Sequence, residues 1–162
     1  MRKTLAVAVL FTSLLLPSAV RAEGGPVLGV DLQAALPVGN FGDGAGLGFG
    51  GLLRYEFTIV NAANITARAG FMYHLEKNNS TFFTFPLLAG LKVKLGQSAY
   101  VAAETGAFIN HPEVGGFDAA LGFTLGVGYR ISSMDLRIGA EMLDAGHATD
   151  SIALTAGLGY NF

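Results

Sequence analysis

The 162-residue sequence contains no cysteine and no tryptophan, and only 14% of its residues are charged. Without cysteine, no disulfide can stabilise the fold, whatever the redox state of its compartment. The hydrophobic share of 51% and the mean hydropathy of +0.48 exclude a disordered chain. Beyond residue 22, no apolar run approaches the roughly 18 to 20 residues that a membrane-spanning helix needs, which excludes a helical membrane protein.

The first 22 residues have the three-part layout of a secretory signal peptide. Arg2 and Lys3 form a basic start, residues 5–16 are largely apolar, and Pro17 precedes a small-residue cleavage site that ends at Ala22. The apolar stretch is too short for a membrane anchor. We therefore expect cleavage after Ala22 and export of residues 23–162.

Eight segments of the remaining chain alternate large apolar side chains with small or polar ones. A period of two is the signature of a strand with two different faces. The segments have the length that a tilted strand needs to cross hydrocarbon, and eight is an even number, as in bacterial barrels. They are 27–36, 47–57, 65–75, 83–95, 99–110, 121–130, 135–143 and 152–162. The predicted fold class is all-β, an eight-stranded antiparallel up-and-down transmembrane β-barrel.

The connections between these segments tend to alternate between long and short along the chain. The longer ones follow the first, third, fifth and seventh segments, which is typical of external loops and places both termini in the periplasm. Aromatic residues gather at both ends, with Tyr55 and Tyr129 at one and Tyr73 and Phe83 at the other. This placement predicts two interfacial girdles. Pro86, within the fourth segment, predicts a local β-bulge because proline removes a ladder donor.

The small and polar faces of the segments are predicted to line the barrel interior. Every strand glycine except Gly51 falls on these inward faces and leaves room for long charged side chains. The predicted lumen charge network is Asp31, Arg54, Glu56, Arg68, Lys92, Lys94, Glu104, Arg130, Asp135, Arg137 and Glu141. An eight-stranded barrel is just wide enough for its side chains to fill the interior.

The signs of these luminal charges are nearly balanced, whereas a pore that selects by charge would show an excess of one sign. Balance favours paired charges, because an unpaired charge in a narrow lumen is costly. We therefore expect a polar core that seals the lumen, with an ion-pair gate as the alternative.

The charges outside the lumen are mainly acidic. Removal of the signal peptide takes away three basic residues, so 7 basic residues remain against 12 acidic ones, a net charge of −5 (10 − 3 = 7; 7 − 12 = −5). The loops hold Lys77 against six carboxylates, namely Asp43, Glu76, Glu113, Asp118, Asp144 and Asp150. We expect this rim to favour divalent cations that bridge to anionic lipid and to repel anionic partners at low salt.

Four stretches resemble the outer-membrane β-barrel domain family of small eight-stranded, OmpA/OmpX-like proteins. They are GVDLQAALPVGNFGDGAGLGFGG, TFPLLAGLKVKLG, YVAAETGAF and the terminal GLGYNF. The resemblance covers essentially the whole of residues 23–162 and implies a single barrel domain in the cell outer membrane, in contact with its lipid and lipopolysaccharide. Tyr160 and Phe162 are similar to the signal by which the barrel-assembly machinery recognises its clients. The family shares no catalytic set, so no catalytic residue is carried over.

Three patterns that suggest other chemistry have simpler explanations. Residues 46–51 match G-x-G-x-x-G, but no helix follows, so a dinucleotide site is not expected. His74, His111 and His147 could approach the external rim, but loop histidines without tight spacing do not predict a metal site. The run HATDS at 147–151 does not match the His-x-Ser-Asn pattern of outer-membrane lipid A deacylases. We expect no enzyme activity, no metal, no cofactor and no nucleic-acid partner.

The sequence thus predicts an integral outer-membrane β-barrel, a monomer, with a structural or surface-interaction role. The alternative is a narrow passive channel for small solutes or ions, because the inward glycines could leave the lumen less full. A soluble lipocalin-like binder would require the reverse polarity of the strand faces.

Overall fold

The computed structural model describes residues 25–77, 80–112 and 116–162, with the side chains of residues 80, 82, 112 and 148–150 left out. The predicted signal peptide, Glu113 and the side chain of Asp150 lie outside the described parts. Eight antiparallel strands form a closed barrel in which β1 pairs with β8, so the predicted fold class is confirmed. The strands are β1 (Val27–Pro37), β2 (Gly48–Val60), β3 (Ala63–Lys77), β4 (Ser80–Lys94), β5 (Ala99–Pro112), β6 (Asp118–Ile131), β7 (Met134–Met142) and β8 (Ile152–Asn161).

The two ends of the barrel differ in their connections. The end that carries residues 27 and 162, here called the terminal end, has the short turns β2–β3, β4–β5 and β6–β7. Two of these turns contain left-handed residues, Gly96 (φ 117°) and Ser132 (φ 54°), a conformation that reverses a chain tightly. The opposite end, here called the loop end, carries the other four connections.

The strand register fixes the tilt of the barrel. Paired residues can be followed from strand to strand once around the barrel. A path that starts at residue 128 of β6 returns to β6 at residue 118, ten residues nearer the loop end. The path runs through Gly128, Arg137, Gly157, Gln33, Gly50, Met72, Thr84, Asn110 and Asp118. A shear of this size in eight strands corresponds to a strand tilt of about 40°. A row of paired side chains therefore climbs roughly 3 Å per strand toward the loop end.

The two faces of each strand differ as the alternation predicts. Outward aliphatic side chains are widely exposed, with Leu32 at 68% and Leu125 at 66%. Inward polar side chains are buried, with Arg54 at 3% and Glu56 at 1% exposure. Exposed apolar and buried polar side chains invert the pattern of a soluble domain, as expected when the surrounding solvent is lipid.

Pro86 does not form the predicted β-bulge. The pairs Ala69↔Leu87 and Met72↔Thr84 belong to one unbroken register, although no pair is formed by Pro86 and its β3 neighbour between them. On its other side, Pro86 pairs with Phe108 of β5. The missing N–H of proline thus removes a local rung, while the regular pairs on both sides hold the register.

The loop end carries two short helices. The helix α1 (Gly39–Gly44) lies in the β1–β2 connection, and a 3-10 helix (Ala145–Asp150) lies in the β7–β8 connection. The two helices contact each other across the mouth of the barrel. Within the described residues, no helix has the length and apolar character needed to cross a membrane.

Candidate functional site

The lumen near the terminal end contains an ion cluster around Arg54. Its guanidinium group lies 3.3 Å from Asp31, 3.2 Å from Glu56 and 3.2 Å from Asp135. It also donates a 2.9 Å hydrogen bond to the side-chain oxygen of Asn161 on β8. Arg54 is 3% exposed, and its planar fork of five donors suits several acceptors at once. One side chain therefore ties β1, β2, β7 and β8 together across the interior.

Two further cations share the carboxylates of this cluster. Lys92 Nζ lies 2.7 Å from Glu56 and 3.1 Å from Asp135, and Arg130 Nη2 lies 2.7 and 2.6 Å from the same two groups. Tyr100 donates its hydroxyl hydrogen bond to Asp135, and its ring lies 3.8 Å below the Lys92 ammonium. These contacts pair the cations with carboxylates inside the lumen, as a buried polar cluster needs.

Glu104 of β5 is the centre of a second cluster. Its carboxylate lies 3.1 Å from Arg68 and 2.9 Å from Arg137. It also accepts hydrogen bonds of 3.0 Å from Thr66 and 2.9 Å from Thr124. The four donors come from β3, β6 and β7, so this carboxylate holds four strands at one level of the barrel.

Asp31 and Gln33 of β1 join the two clusters. Asp31 lies 3.2 Å from the Nε atom of Arg68 and also contacts Arg54. Arg68 donates to the Gln33 carbonyl oxygen at 2.7 Å, and the Gln33 amide in turn donates to Glu141 at 3.0 Å. The network therefore extends from Asn161 at the terminal end to Glu141 near mid-height.

Lys94 is the one member of the predicted set that lies outside the network. It belongs to the inward side of β4, but it stands at the terminal end, where its side chain is exposed. No salt bridge recorded among the described residues involves it. The alternation therefore predicts the face of the strand on which Lys94 lies, but not its height along the barrel axis. Without Lys94, the lumen contains five basic and five acidic side chains instead of six and five.

The loop half of the lumen is filled by an apolar plug. Phe108 is 1% exposed and Met72 is 2% exposed, and both belong to a buried cluster with the other inward apolar residues. The cluster comprises Ala35, Leu52, Met72, Leu88, Phe108, Leu143 and Ala153, with Phe41 of α1 packed against it. The alternation of the sequence predicts that several of these residues face inward, but it does not distinguish a separate apolar layer.

Inward glycines make room for the large rings of the lumen. A Cβ atom on Gly122 would overlap the Phe108 ring, and one on Gly128 would overlap the Tyr100 ring. The space that these glycines leave is thus occupied by neighbouring side chains. Between the charged clusters, the cavity bounded by Arg54, Arg68 and Arg137 has a volume of about 10 Å³, on the order of a single water position.

The loop end adds a cover above the plug. The Phe41 ring lies 6.0 Å from the ring of His74, which is 0% exposed, and Lys77 donates to the backbone carbonyl of Gly42. In the 3-10 helix, the Nδ1 atom of His147 lies 2.9 Å from Asp144. This contact lowers the pKa of the Asp144 carboxyl below its usual value. A hydrogen bond from the backbone N–H of Gly146 has a smaller effect in the same direction.

The three histidines of the chain lie in different surroundings. His74 is buried under α1, His111 stacks on Phe117 at 4.4 Å, and the side chain of His147 is 76% exposed. No group of three or more metal-ligating side chains occurs among the described residues. The histidines therefore do not converge on one point of the rim.

No model of a known protein family matches the sequence, and no curated protein matches it significantly. Among solved structures, Ail, the attachment invasion locus protein of Yersinia pestis, is similar with a TM-score of 0.58 and 16% identity, over 87% of this chain and 100% of Ail. Ail is also known in complex with the heparin analogue sucrose octasulfate.

Two other structures extend the comparison. Neisserial surface protein A gives a TM-score of 0.55 at 16% identity, over 85% of this chain and 97% of that one. The de novo designed transmembrane barrel TMB2.3 gives 0.57 at 22% identity, over 87% and 98%. At these identities the likeness concerns the fold, which is that of small outer-membrane barrels.

Proposed function

We propose that this chain is an integral outer-membrane β-barrel with a structural or surface-interaction role and a closed lumen. The proposal includes export through a cleaved signal peptide, insertion by the barrel-assembly machinery with Tyr160 and Phe162 as the terminal signal, and a monomeric state. It includes no catalytic activity and no cofactor.

The closed lumen is supported by one observation: two different sets of side chains fill the barrel interior, one above the other along its axis. Nine charged side chains form salt bridges in the terminal half, and the plug around Phe108 fills the loop half. A permeant ion would have to displace buried ion pairs and then cross an apolar layer. Each step is costly, because charges leave water and partners are separated.

The network also has a structural consequence. Lipid-facing side chains gain little from strand pairing in one register over another, since nearly every outward position is apolar. Luminal pairs such as Arg68 with Glu104 form only in one register, because a one-residue slip turns each side chain to the other face. We infer that the network specifies the barrel register and that this is its main role.

The loop end supports a surface role that differs from polyanion binding. Its described charged side chains are mainly acidic, with Asp43, Glu76, Asp118 and Asp144 against Lys77. Like charges repel an anionic ligand at low salt. The sulfated sugar bound by Ail is therefore a poor guide to the partner of this chain, and a cationic or neutral partner fits the surface better.

Fractionation tests the membrane assignment. We expect the mature chain in the outer-membrane fraction, released by detergent and not by high salt or carbonate. Recovery from the soluble periplasm without detergent would overturn the proposal.

Binding to immobilised heparin tests the surface assignment, with the variant Asp43→Lys/Asp118→Lys as the matched control. We expect no retention of the wild-type protein at low salt and increased retention of the variant. Retention of the wild type that salt abolishes would contradict an acidic loop end.

A further inference from the structure

The lipid-facing wall is higher on one side of the barrel than on the other. Strands β3 to β6 contain 14 or 15 residues, whereas β7 contains 9 and β8 contains 10. A strand of about 9 to 11 residues is sufficient to cross hydrocarbon. The β7 and β8 side therefore just spans the membrane, and the β3 to β6 side extends beyond it at the loop end.

Aromatic side chains follow this taller side toward the loops. Phe49 and Tyr73 lie 5.6 Å apart and Tyr73 and Phe83 lie 5.2 Å apart, each pair on neighbouring strands. Phe83 pairs in register with His111, and the His111 ring stacks on Phe117 at 4.4 Å. We call these five side chains the aromatic ladder. Because a row of paired residues climbs roughly 3 Å per strand, Phe117 stands about 12 Å higher than Phe49.

The height of Phe117 can be measured along β6 from the aromatic girdle at the terminal end of the barrel. Tyr129 of β6, 50% exposed, is an outward aromatic residue of that girdle. The twelve residues from Tyr129 to Phe117 rise about 30 Å along a strand tilted by about 40°. The apolar band of such barrels is about 25 Å tall. When the apolar band is measured from Tyr129, Phe117 lies about 5 Å beyond its upper edge, at the depth of the lipid headgroups.

Among the described residues, Phe117 is also the most exposed large apolar side chain, at 71%. The outward positions below it on β6 are Ala119 and Leu121, so its surface continues into the lipid-facing wall without a charged side chain. On the opposite side, the wall ends at Met142 and Ile152 and is followed by the 3-10 helix. An aromatic pair that continues an apolar wall and stands at headgroup depth matches an interfacial anchor.

We propose that the stacked pair of His111 and Phe117 docks into the headgroup layer of the surrounding lipid, so that the barrel is anchored at its loop end on the β3 to β6 side only. This inference rests on the proposed membrane location. A protein partner at Phe117 is the competing occupant, but the continuity of this surface with the lipid-facing wall favours lipid.

The absence of tryptophan from the chain provides a clean test, because a single introduced tryptophan is the only such fluorophore. Three variants are refolded into vesicles of phosphatidylcholine and phosphatidylethanolamine in which part of the lipid carries bromine close to the ester end of its acyl chains. Phe117→Trp probes the anchor, Leu125→Trp probes the middle of the wall, and His147→Trp probes an equally exposed position on the opposite side. Ala119→Trp is the second probe if Phe117→Trp does not refold.

We expect emission of Phe117→Trp to shift to the blue of His147→Trp and to lose intensity to the brominated lipid, while His147→Trp loses none. Leu125→Trp should also be quenched. If Phe117→Trp and Ala119→Trp behave like His147→Trp while Leu125→Trp is quenched, the anchor is wrong and the membrane barrel stands. If Leu125→Trp is not quenched, the membrane location fails and the anchor with it. Quenching of His147→Trp to the same extent as Phe117→Trp would contradict the one-sided contact.

Discussion

Replacement of Glu104 by glutamine removes the central charge of the second cluster without changing the volume of the side chain. Arg68 would keep Asp31 at 3.2 Å, but Arg137, 13% exposed in its side chain, would lose its one salt bridge among the described residues. Removal of one partner of a buried ion pair lowers the free energy of unfolding by about 3 to 5 kcal/mol, because the other charge is left uncompensated. Since Arg137 is not fully buried, we expect the free energy of unfolding to fall by about 3 kcal/mol, at the low end of that range.

The reverse substitution, Arg137→Met, should cost less. Glu104 would retain Arg68 and the hydroxyl donors of Thr66 and Thr124, so we expect a loss of about 1 kcal/mol. In the double variant the uncompensated charge disappears, and the two losses should not add. We expect a coupling of about 1 to 2 kcal/mol between the two sites.

Urea unfolding of the refolded barrel in detergent micelles, followed by circular dichroism, measures these differences. Ala103→Val, an outward change next to Glu104, is the matched control and should alter stability by no more than about 0.5 kcal/mol. If Glu104→Gln is as stable as this control, the luminal pairs contribute nothing measurable and the reasoning is refuted.

Three further predictions follow from close contacts and termini. Gly106→Ala should lower the free energy of unfolding by about 1 to 3 kcal/mol in the same urea assay, because its Cβ would overlap a backbone carbonyl of β4, whereas Gly44→Ala, with open space around it, should be neutral. Phe162→Ala should impair insertion in a cell-fractionation assay, and normal insertion would show that the terminal signal is unnecessary here. The hydrogen bond between His147 and Asp144 lowers the pKa of the Asp144 carboxyl, so it should stabilise the loop above the carboxyl pKa of the unfolded chain. This stabilisation should be lost as the pH falls through the lower pKa of the folded state. NMR titration should show this acid transition, and Asp144→Asn should abolish it.

The faces of the strands could be predicted from the sequence because a period of two needs only local information. Arg54 and Glu56 alternate with outward Tyr55, and the structure buries the first two and exposes the third. Strand number and direction follow from the same pattern and from the connection lengths. The all-β barrel is thus determined by alternation over short stretches of chain.

The pairing of the luminal charges could not be predicted, because it depends on the shear. Arg54 meets Asp135, a residue of β7 that lies far away in the sequence, only once the stagger of all eight strands is fixed. Height along the axis is equally nonlocal. Lys94 has the alternation of a luminal residue but stands at the exposed rim, and the inward Met72 belongs to a plug that no local signal separates from the charged layer.

The most direct test of the closed lumen is the conductance of the purified, refolded protein in a planar bilayer. Insertion is first established by protection of the strands from added protease. We predict that inserted wild-type protein gives no reproducible current steps at any salt concentration. Steps of constant size that increase with salt concentration would contradict a lumen closed by the Arg54 and Glu104 clusters and the plug around Phe108.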